Sequence, residues 1–408
     1  MSAQGLHRHS FHPEAGGPLD GLRIVDLSRL VAGNMATLTL ADYGAEVIKI
    51  EHPERGDDLR AWRVSGVETY WKVYGRNKKS VALDYRAAHG LDVLRRLIDT
   101  ADVLVENFVP GKLERLGLAP EKLLETNPRL VVLRVSGWGQ TGPFRDRPGF
   151  GTLVEARSGF ASLNGFADRP PVLPPLALAD MISGIYGAMA VAVAVRHSER
   201  TGIGQVIDLS LFDPILSVLG PMPANYVVSG ALTPRQGNRA SNAAPRNVYV
   251  CRDGKFIALS ASMQSVTERL FHAMGRPELI VDPRFSDNDR RLSNIDALDA
   301  IVGGFIADRT QQECLALFER AGVTAGPMFD AADLMSDAYV AERESLLLLP
   351  DADLGELPMH NVVARFSETP GAIRLPAPRL GQHTDEVLSA LQLDRPTIAG
   401  LRHDGVIR

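Results

Sequence analysis

Over its first 210 residues the chain alternates short apolar runs with stretches of helical periodicity. Residues 21–27 (GLRIVDL) read as a buried strand, 33–43 as a helix closed by Gly44, and 45–51 (AEVIKIE) as the next strand. That is a βαβ unit, which implies parallel strands joined by a right-handed crossover. The pattern continues with a strand at 80–84, a helix at 89–100, and strands at 102–107 and 130–135. The fold class expected is α/β, a Rossmann-like doubly wound sheet whose ligands sit beyond the carboxyl ends of its strands.

Near Pro221 the pattern breaks. Residues 221–245 (PMPANYVVSGALTPRQGNRASNAAP) carry Pro, Gly, Asn and Arg without sustained periodicity and read as a linker. A smaller α+β domain follows, with strands at 248–251 and 255–261 joined by Arg252-Asp253-Gly254. Thr310 with Glu313 three residues on reads as a capping box. The expected organisation is a disordered tail at 1–18, a large domain at 19–220, the linker at 221–245, a small domain at 246–345 and a return segment at 346–408 that completes the large domain.

Composition removes several function classes. Forty-four basic against 49 acidic residues in 408 leave a net charge of −5, with no basic excess for nucleic acid. Two cysteines, Cys251 and Cys314, cannot make a disulfide framework and fit a reducing cytoplasm. The longest apolar stretch, 184–195, is shorter than the ~20 residues of a membrane span. The amino-terminal segment has no apolar core of a secretion signal, and its His7, His9 and His12 read as part of a polar tail. The turn after the first strand (SRLVAGNM) lacks the G-x-G-x-x-G of a dinucleotide site. A phosphate-binding P-loop, zinc-type Cys/His spacing and a G-x-S-x-G elbow are absent too. Asp57-Asp58, with no third ligand in sight, reads as loop charge and not as a metal site.

Three constellations remain at the ligand edge. Val31-Ala32-Gly33 open the first helix, whose free N–H groups attract anions, with His52 just past the second strand. Basic and aromatic groups gather at the following strand ends: Arg76 to Lys79, Arg86, Phe108 and Arg115, a set that could take phosphates and an adenine. Asp180 precedes the apolar run from Met181 to Val195. Such an Asp is ordinarily a helix N-cap. It is also a usable nucleophile toward an activated acyl group, if helix donors keep it ionised while buried.

These segments resemble the class III CoA-transferases, the carnitine CoA-transferase and bile-acid-inducible F family, from about Leu19 to the end of the chain. The motifs that carry the resemblance, in order, are LDGLRIVDLSRLVAG, GAEVIKIEHPERGDDLR, RNKKSVALD, ADVLVENFVPGKLERLGL, SGWGQTGP, the LADM that holds Asp180, TGIGQVIDLSLFD and LGQHTDEVL. The resemblance implies transfer of CoA between carboxylic acids by covalent catalysis on Asp180, through a mixed anhydride and an aspartyl-CoA thioester, with CoA as substrate and neither ATP nor metal required. It implies CoA contacts from Val31, Ala32, His52, Leu83, Arg86, Asn107, Phe108, Arg115, Ser136 and Gly137. Trp62 and Trp138 match positions that line the acyl pocket. It further implies an interlocked homodimer with no nucleic-acid or membrane partner.

The chain departs from the family pattern in places. Some relatives carry Arg at the position of His52 and Lys at that of Ser136, and the glycine-rich shielding loop of formyl-CoA transferase has no counterpart near residues 237–245. The racemases of the same family place a His where this chain has Phe150, which cannot carry a proton, so transfer is the expected reaction and 2-methylacyl-CoA racemisation the alternative. A CoA-binding module without chemistry is a further alternative, opposed by the presence of Asp180. The wording ENFVPGKL and ANYVVSG is similar to the branch that handles short dicarboxylic acids, which implies a succinyl-CoA-type donor. Arg60, or an Arg within residues 235–246, is the expected partner for a distal carboxylate.

Overall fold

The computed structural model describes residues 5–408. Six strands form one parallel sheet: β1 (Arg23–Asp26), β2 (Glu46–Glu51), β3 (Lys78–Ala82), β4 (Val103–Glu106), β5 (Val131–Ser136) and β6 (Gln205–Ser210), in the order β3-β2-β1-β4-β5-β6. The β-branched cores of β1, β4 and β5 are buried because helices cover both faces of a sheet of this kind. The strand order reverses between β1 and β4, and doubly wound folds bind ligands at that switch point. β6 was not anticipated. It is an edge strand, largely exposed, so its apolar run is weak.

The chain divides into two compact units. Of the described residues, the first comprises 5–159, 174–220 and 335–408; the second comprises 160–173 and 221–334. The first unit is therefore discontinuous, and the second begins at 221 and also takes in 160–173, so residues 221–245 are not a free linker. They contain a helix, Met222–Ser229, closed by Gly230. In the second unit, β7 (Arg246–Val250), β8 (Phe256–Ser260) and β9 (Ala325–Pro327) form an antiparallel sheet over a core that includes Leu270, Phe271, Phe285 and Phe318. Both bonds of the Thr310–Glu313 capping box are present.

The expected tail is the clearest structural correction. From residue 5 onward it is docked. Arg8 pairs with Leu348 of the hairpin β10 (Leu346–Asp351) and β11 (Gly355–His360), and Leu6 packs with Val340 and Leu348. An exposed strand edge found a partner far away in sequence. Residues 1–4 lie outside the described residues. Toward the other end, the chain runs back along β3. Asn77 donates to the Leu375 carbonyl at 3.1 Å, Ala82 to Thr384 Oγ1 at 3.1 Å and Asp84 to the Val406 carbonyl at 2.8 Å.

Three helices place the site. They are α1 (Ala32–Ala41), α2 (Gly151–Arg157) and α3 (Leu178–Thr201). α3 starts three residues earlier than the sequence suggested and is long and apolar enough to cross a bilayer by length and composition. Its small residues explain the composition otherwise: Gly184 lies against Ala32 and Met35 of α1, where any side chain would overlap the neighbouring helix. The opposite face leaves Ile185, Met189 and Val193 exposed.

Candidate active site

The β1–α1 turn is fixed from three directions. Leu30 adopts a left-handed backbone, φ 62°, which costs a non-glycine residue roughly 1–2 kcal/mol. Its N–H donates to Asp57 Oδ1 at 3.0 Å. Asn107, at the end of β4, spans the switch point: its Oδ1 accepts the Arg29 N–H at 2.9 Å and its Nδ2 donates to the Arg29 carbonyl at 2.7 Å. Below this turn lies a buried ionic network. Lys49 Nζ sits 3.2 Å from Asp26 and 3.0 Å from Asp57, and Lys78 Nζ donates to Asn34 Oδ1 at 2.9 Å. Burial opposes the charge on Lys49, but Asp26 and Asp57 outweigh it and its pKa rises. Lys78 lies farther from its carboxylates, and burial pushes it down to about 7.

Above the turn opens a narrow cleft of about 80 Å³, lined by residues from the ends of β1, β2 and β3, among them Arg29, His52, Arg55, Leu83 and Arg86, and by Lys112 from beyond β4. Lys112 was missed by the sequence reading, although its segment was noted. Its pKa is pushed down by burial and then by the neighbouring charges of Arg29, Arg86 and Arg115. Like charges gathered in this way suit a polyanion. Arg86 is held by Asp84 at 2.8 Å, and its Nη2 lies 2.6 Å from His52 Nε2.

The other expected CoA residues divide by environment. Val31 caps α1 without any side-chain cap, so the first N–H groups of α1, starting at Ala32, have no acidic partner on the helix. Ser136 Oγ is buried without a hydrogen-bond partner, next to Gly137. Arg115 is exposed. Leu83 and Phe108 belong instead to the hydrophobic core, and the Phe108 ring is covered by Lys112 Nζ at 4.3 Å. Its face is therefore not open for an adenine. Asn107 is occupied by the Arg29 backbone and acts first as a clamp.

Arg60 is a second correction. It is buried, with Nε 2.7 Å and Nη2 2.9 Å from the two oxygens of Glu51, and it stacks over Trp71 at 3.8 Å. A guanidinium already neutralised by a fork-to-fork carboxylate is not free for a substrate acid. Two of the three loop arginines are engaged as well: Arg235 bonds the Phe166 and Arg169 carbonyls, and Arg239 pairs with Asp296 and Asp299, while Arg246 is exposed. Trp62 is partly exposed against Tyr70, and Trp138 bonds the Pro148 carbonyl at 3.0 Å while packing on Phe144 and Phe212.

Asp180 is the third residue of α3 and not its cap, which is Ala177. Ala177 and Met181, on either side of it, pack on the cluster formed by Val31, Leu59 and Trp71, which brings the first turn of α3 to the start of α1. Asp180 Oδ2 lies against Gly151, the first residue of α2, so closely that an added methyl group would overlap it. The helix was expected to keep this carboxylate ordinarily ionised. Instead its pKa is raised to about 6, first by burial and then by the charge of Glu155, against a smaller opposing contribution from its own N–H. Glu155, buried on α2, accepts the Ala179 N–H at 3.0 Å. No sequence motif pointed to it; its signal was only a charged residue on the buried face of α2. Phe150, at the racemase His position, caps α2 with an exposed apolar ring.

A model of CoA-transferase family III matches residues 19–384. The chain belongs to CoA-transferase family III. It is 38% identical, over 92% of its length and 94% of the other's, to the succinyl-CoA–D-citramalate CoA-transferase of Chloroflexus aurantiacus. It is 33% identical to the succinyl-CoA:glutarate CoA-transferase of Mus musculus, over 96% of this chain and 90% of that one. Among solved structures, a CaiB/BaiF family protein of Brucella suis superposes with a TM-score of 0.81 at 34% identity, covering 92% of this chain and all of the other. This CoA-transferase therefore shares fold and length with family III enzymes, and the expectation drawn from its motifs holds at the level of family and reaction class.

Proposed function

We propose that this CoA-transferase moves CoA from succinyl-CoA to a short dicarboxylic acid through covalent intermediates on Asp180. The carrying observation is the Asp180 carboxyl itself: partly buried, raised to about 6, in a first turn that packs against the uncapped start of α1, with no cation acting on it. At neutral pH such a carboxylate is mostly ionised yet poorly solvated, which suits attack on a thioester. The names of the relatives from Chloroflexus and mouse support succinyl-CoA as donor and a dicarboxylate as acceptor.

The reaction then runs in four balanced steps. An Asp180 oxygen bonds to the thioester carbonyl carbon and the C–S bond breaks, giving a mixed anhydride and CoA thiolate. The thiolate attacks the Asp180 carbonyl, forming an aspartyl-CoA thioester and releasing succinate. The acceptor carboxylate attacks that thioester and regenerates thiolate. The thiolate takes the acceptor's acyl group and frees the Asp180 carboxylate. Each step exchanges one activated carbonyl for another, so the thioester's free energy is conserved throughout. The phosphates of CoA lie, in this reading, along Arg29, Arg86, Arg115 and Lys112, with the uncapped N–H groups of α1 and the free Ser136 hydroxyl nearer the thioester.

The test is a screen of acyl-CoA donors against free acids, paired with hydroxylamine trapping. Succinyl-CoA with four- and five-carbon diacids is expected to react, and an Asp180 hydroxamate is expected in the digest. Exchange confined to monocarboxylates would overturn the substrate reading, and full activity in Asp180→Ala would remove Asp180 from the scheme. The active form in this reading is a homodimer in a reducing cytoplasm. Support comes from the exposed apolar stripe Ile185, Met189 and Val193 on α3, and from two unbridged cysteines.

A further inference from the structure

A carboxylate in the first turn of a helix is ordinarily stabilised by the free N–H groups there. In α3 one of those donors is already spent. The Ala179 N–H, one residue before Asp180, is donated to Glu155 Oε1 at 3.0 Å. Glu155 reaches it from α2, whose first residue touches the Asp180 carboxyl, so one short helix both walls Asp180 and competes with it.

Charges on the remaining elements around α3 are committed elsewhere. α1 carries none. Arg134 of β5 is paired with Glu106 and Glu114. Asp208 of β6 accepts the Gln140 N–H, and Asp213, on the helix Phe212–Ser217, accepts from Ser210. Arg157, at the far end of α2, stacks on Phe144, and the charges of α3 itself lie at its other end, among residues 196–200. Glu155 is left as the charged group that faces Asp180.

We propose that Glu155 is a positioning residue for the transfer reaction: by occupying the Ala179 N–H and setting its own carboxylate beside Asp180, it withholds helix donors from Asp180 and makes it the stronger nucleophile. This rests on Asp180 being the reacting group. The physical logic is a trade. Helix donors would ease the burial of Asp180 but would also draw electron density from the attacking oxygen. Burial is the larger reason that the expected helix stabilisation fails; Glu155 diverts one donor and adds its own charge to that effect. The absence of a side chain at Gly151 then leaves the Asp180 oxygen room against α2.

Glu155→Gln separates charge from packing, because the amide keeps an oxygen for the Ala179 N–H and keeps the volume. Two readouts are taken: the pH dependence of transfer, and titration of the Asp180 carboxyl by 13C NMR in the ligand-free protein. In the parent enzyme the midpoint is expected near 6. In Glu155→Gln it moves down by about one unit in both readouts. The plateau kcat falls about threefold, taking a Brønsted slope near one half, with KM for the acyl-CoA little changed. Glu155→Asp, which keeps the charge, retains a raised midpoint and serves if the Gln variant does not fold. An unmoved NMR midpoint, or a moved midpoint with parental kcat, overturns the proposal. Full transfer by Asp180→Ala would instead overturn the reading beneath it, whatever Glu155 does.

Discussion

In the proposed reaction, Asp180 couples reactivity to instability. Its folded pKa, about 6, stands above the ordinary carboxylate value of 3.8. A group whose pKa is raised on folding favours the fold only where it is protonated. That contribution is complete below pH 3.8 and is lost as pH rises through 6. The difference corresponds to about 3 kcal/mol at most. Asp180→Asn should therefore be inactive yet more stable than the parent at pH 8, with the advantage fading toward pH 4; chemical denaturation at the two pH values checks this. A variant no more stable at pH 8 would show that the carboxylate is not strained by its burial. Lys112 gives a second residue-level prediction. Its neighbours Arg29, Arg86 and Arg115 make it part of a cationic cluster. Lys112→Ala is expected to raise KM for acyl-CoA about tenfold at low salt and much less at high salt, because screening weakens such contacts. The kcat should hold, since the side chain is remote from the thioester in this reading.

At the scale of elements, the contact of α1 with α3 decides whether the start of α1 and Asp180 meet. Gly184 lies on Ala32 and Met35 with no room for a side chain. Gly184→Val should cost about 1–3 kcal/mol through overpacking, and should lower kcat more than the stability loss explains, by parting Val31 from Met181. Calorimetry and steady-state kinetics on the same sample separate the two effects. Sequence periodicity reached this level well where local chemistry was sufficient. β1, α1 and β2 fall within two or three residues of their expected bounds, and the Thr310–Glu313 box is as read. It failed where a partner lay on another element, beyond the reach of local pattern. Nothing near Arg60 announces that Glu51 and Trp71 will neutralise and cover it, and nothing near Ala179 announces Glu155, whose segment is separated from it by the excursion 160–173 into the second unit. The docked segment at residues 6–9 escaped for the same reason, since its partner strand is β10.

For the molecule as a whole, the stripe Ile185, Met189 and Val193 on α3 and the exposed edge strand β6 leave apolar surface that a monomer would show to water. If a second copy covers it, Met189→Glu should shift the mass seen by light scattering from dimer to monomer and lower activity with it. An unchanged mass would place the subunit contact elsewhere. The family was legible in the motifs, and the architecture followed from it. The division between units was not legible, because residues 160–173 look like a continuation of the first unit and pack with the second.

The return of the chain along β3 bears on how the enzyme is made. Arg60 and Trp71 donate to the Pro378 carbonyl, Ala82 to Thr384, and Asp84, beside Arg86, to Val406. At translation rates of about 5–20 residues per second, the first half of the CoA cleft waits roughly a quarter of a minute to a minute for the segments that finish it. During that interval the buried charges of Lys49, Lys78 and Glu51 lie close to an unfinished wall. The wall of the cleft thus closes only after residues 375–406 have been made, so the two ends of the segment fold together and not in order of synthesis.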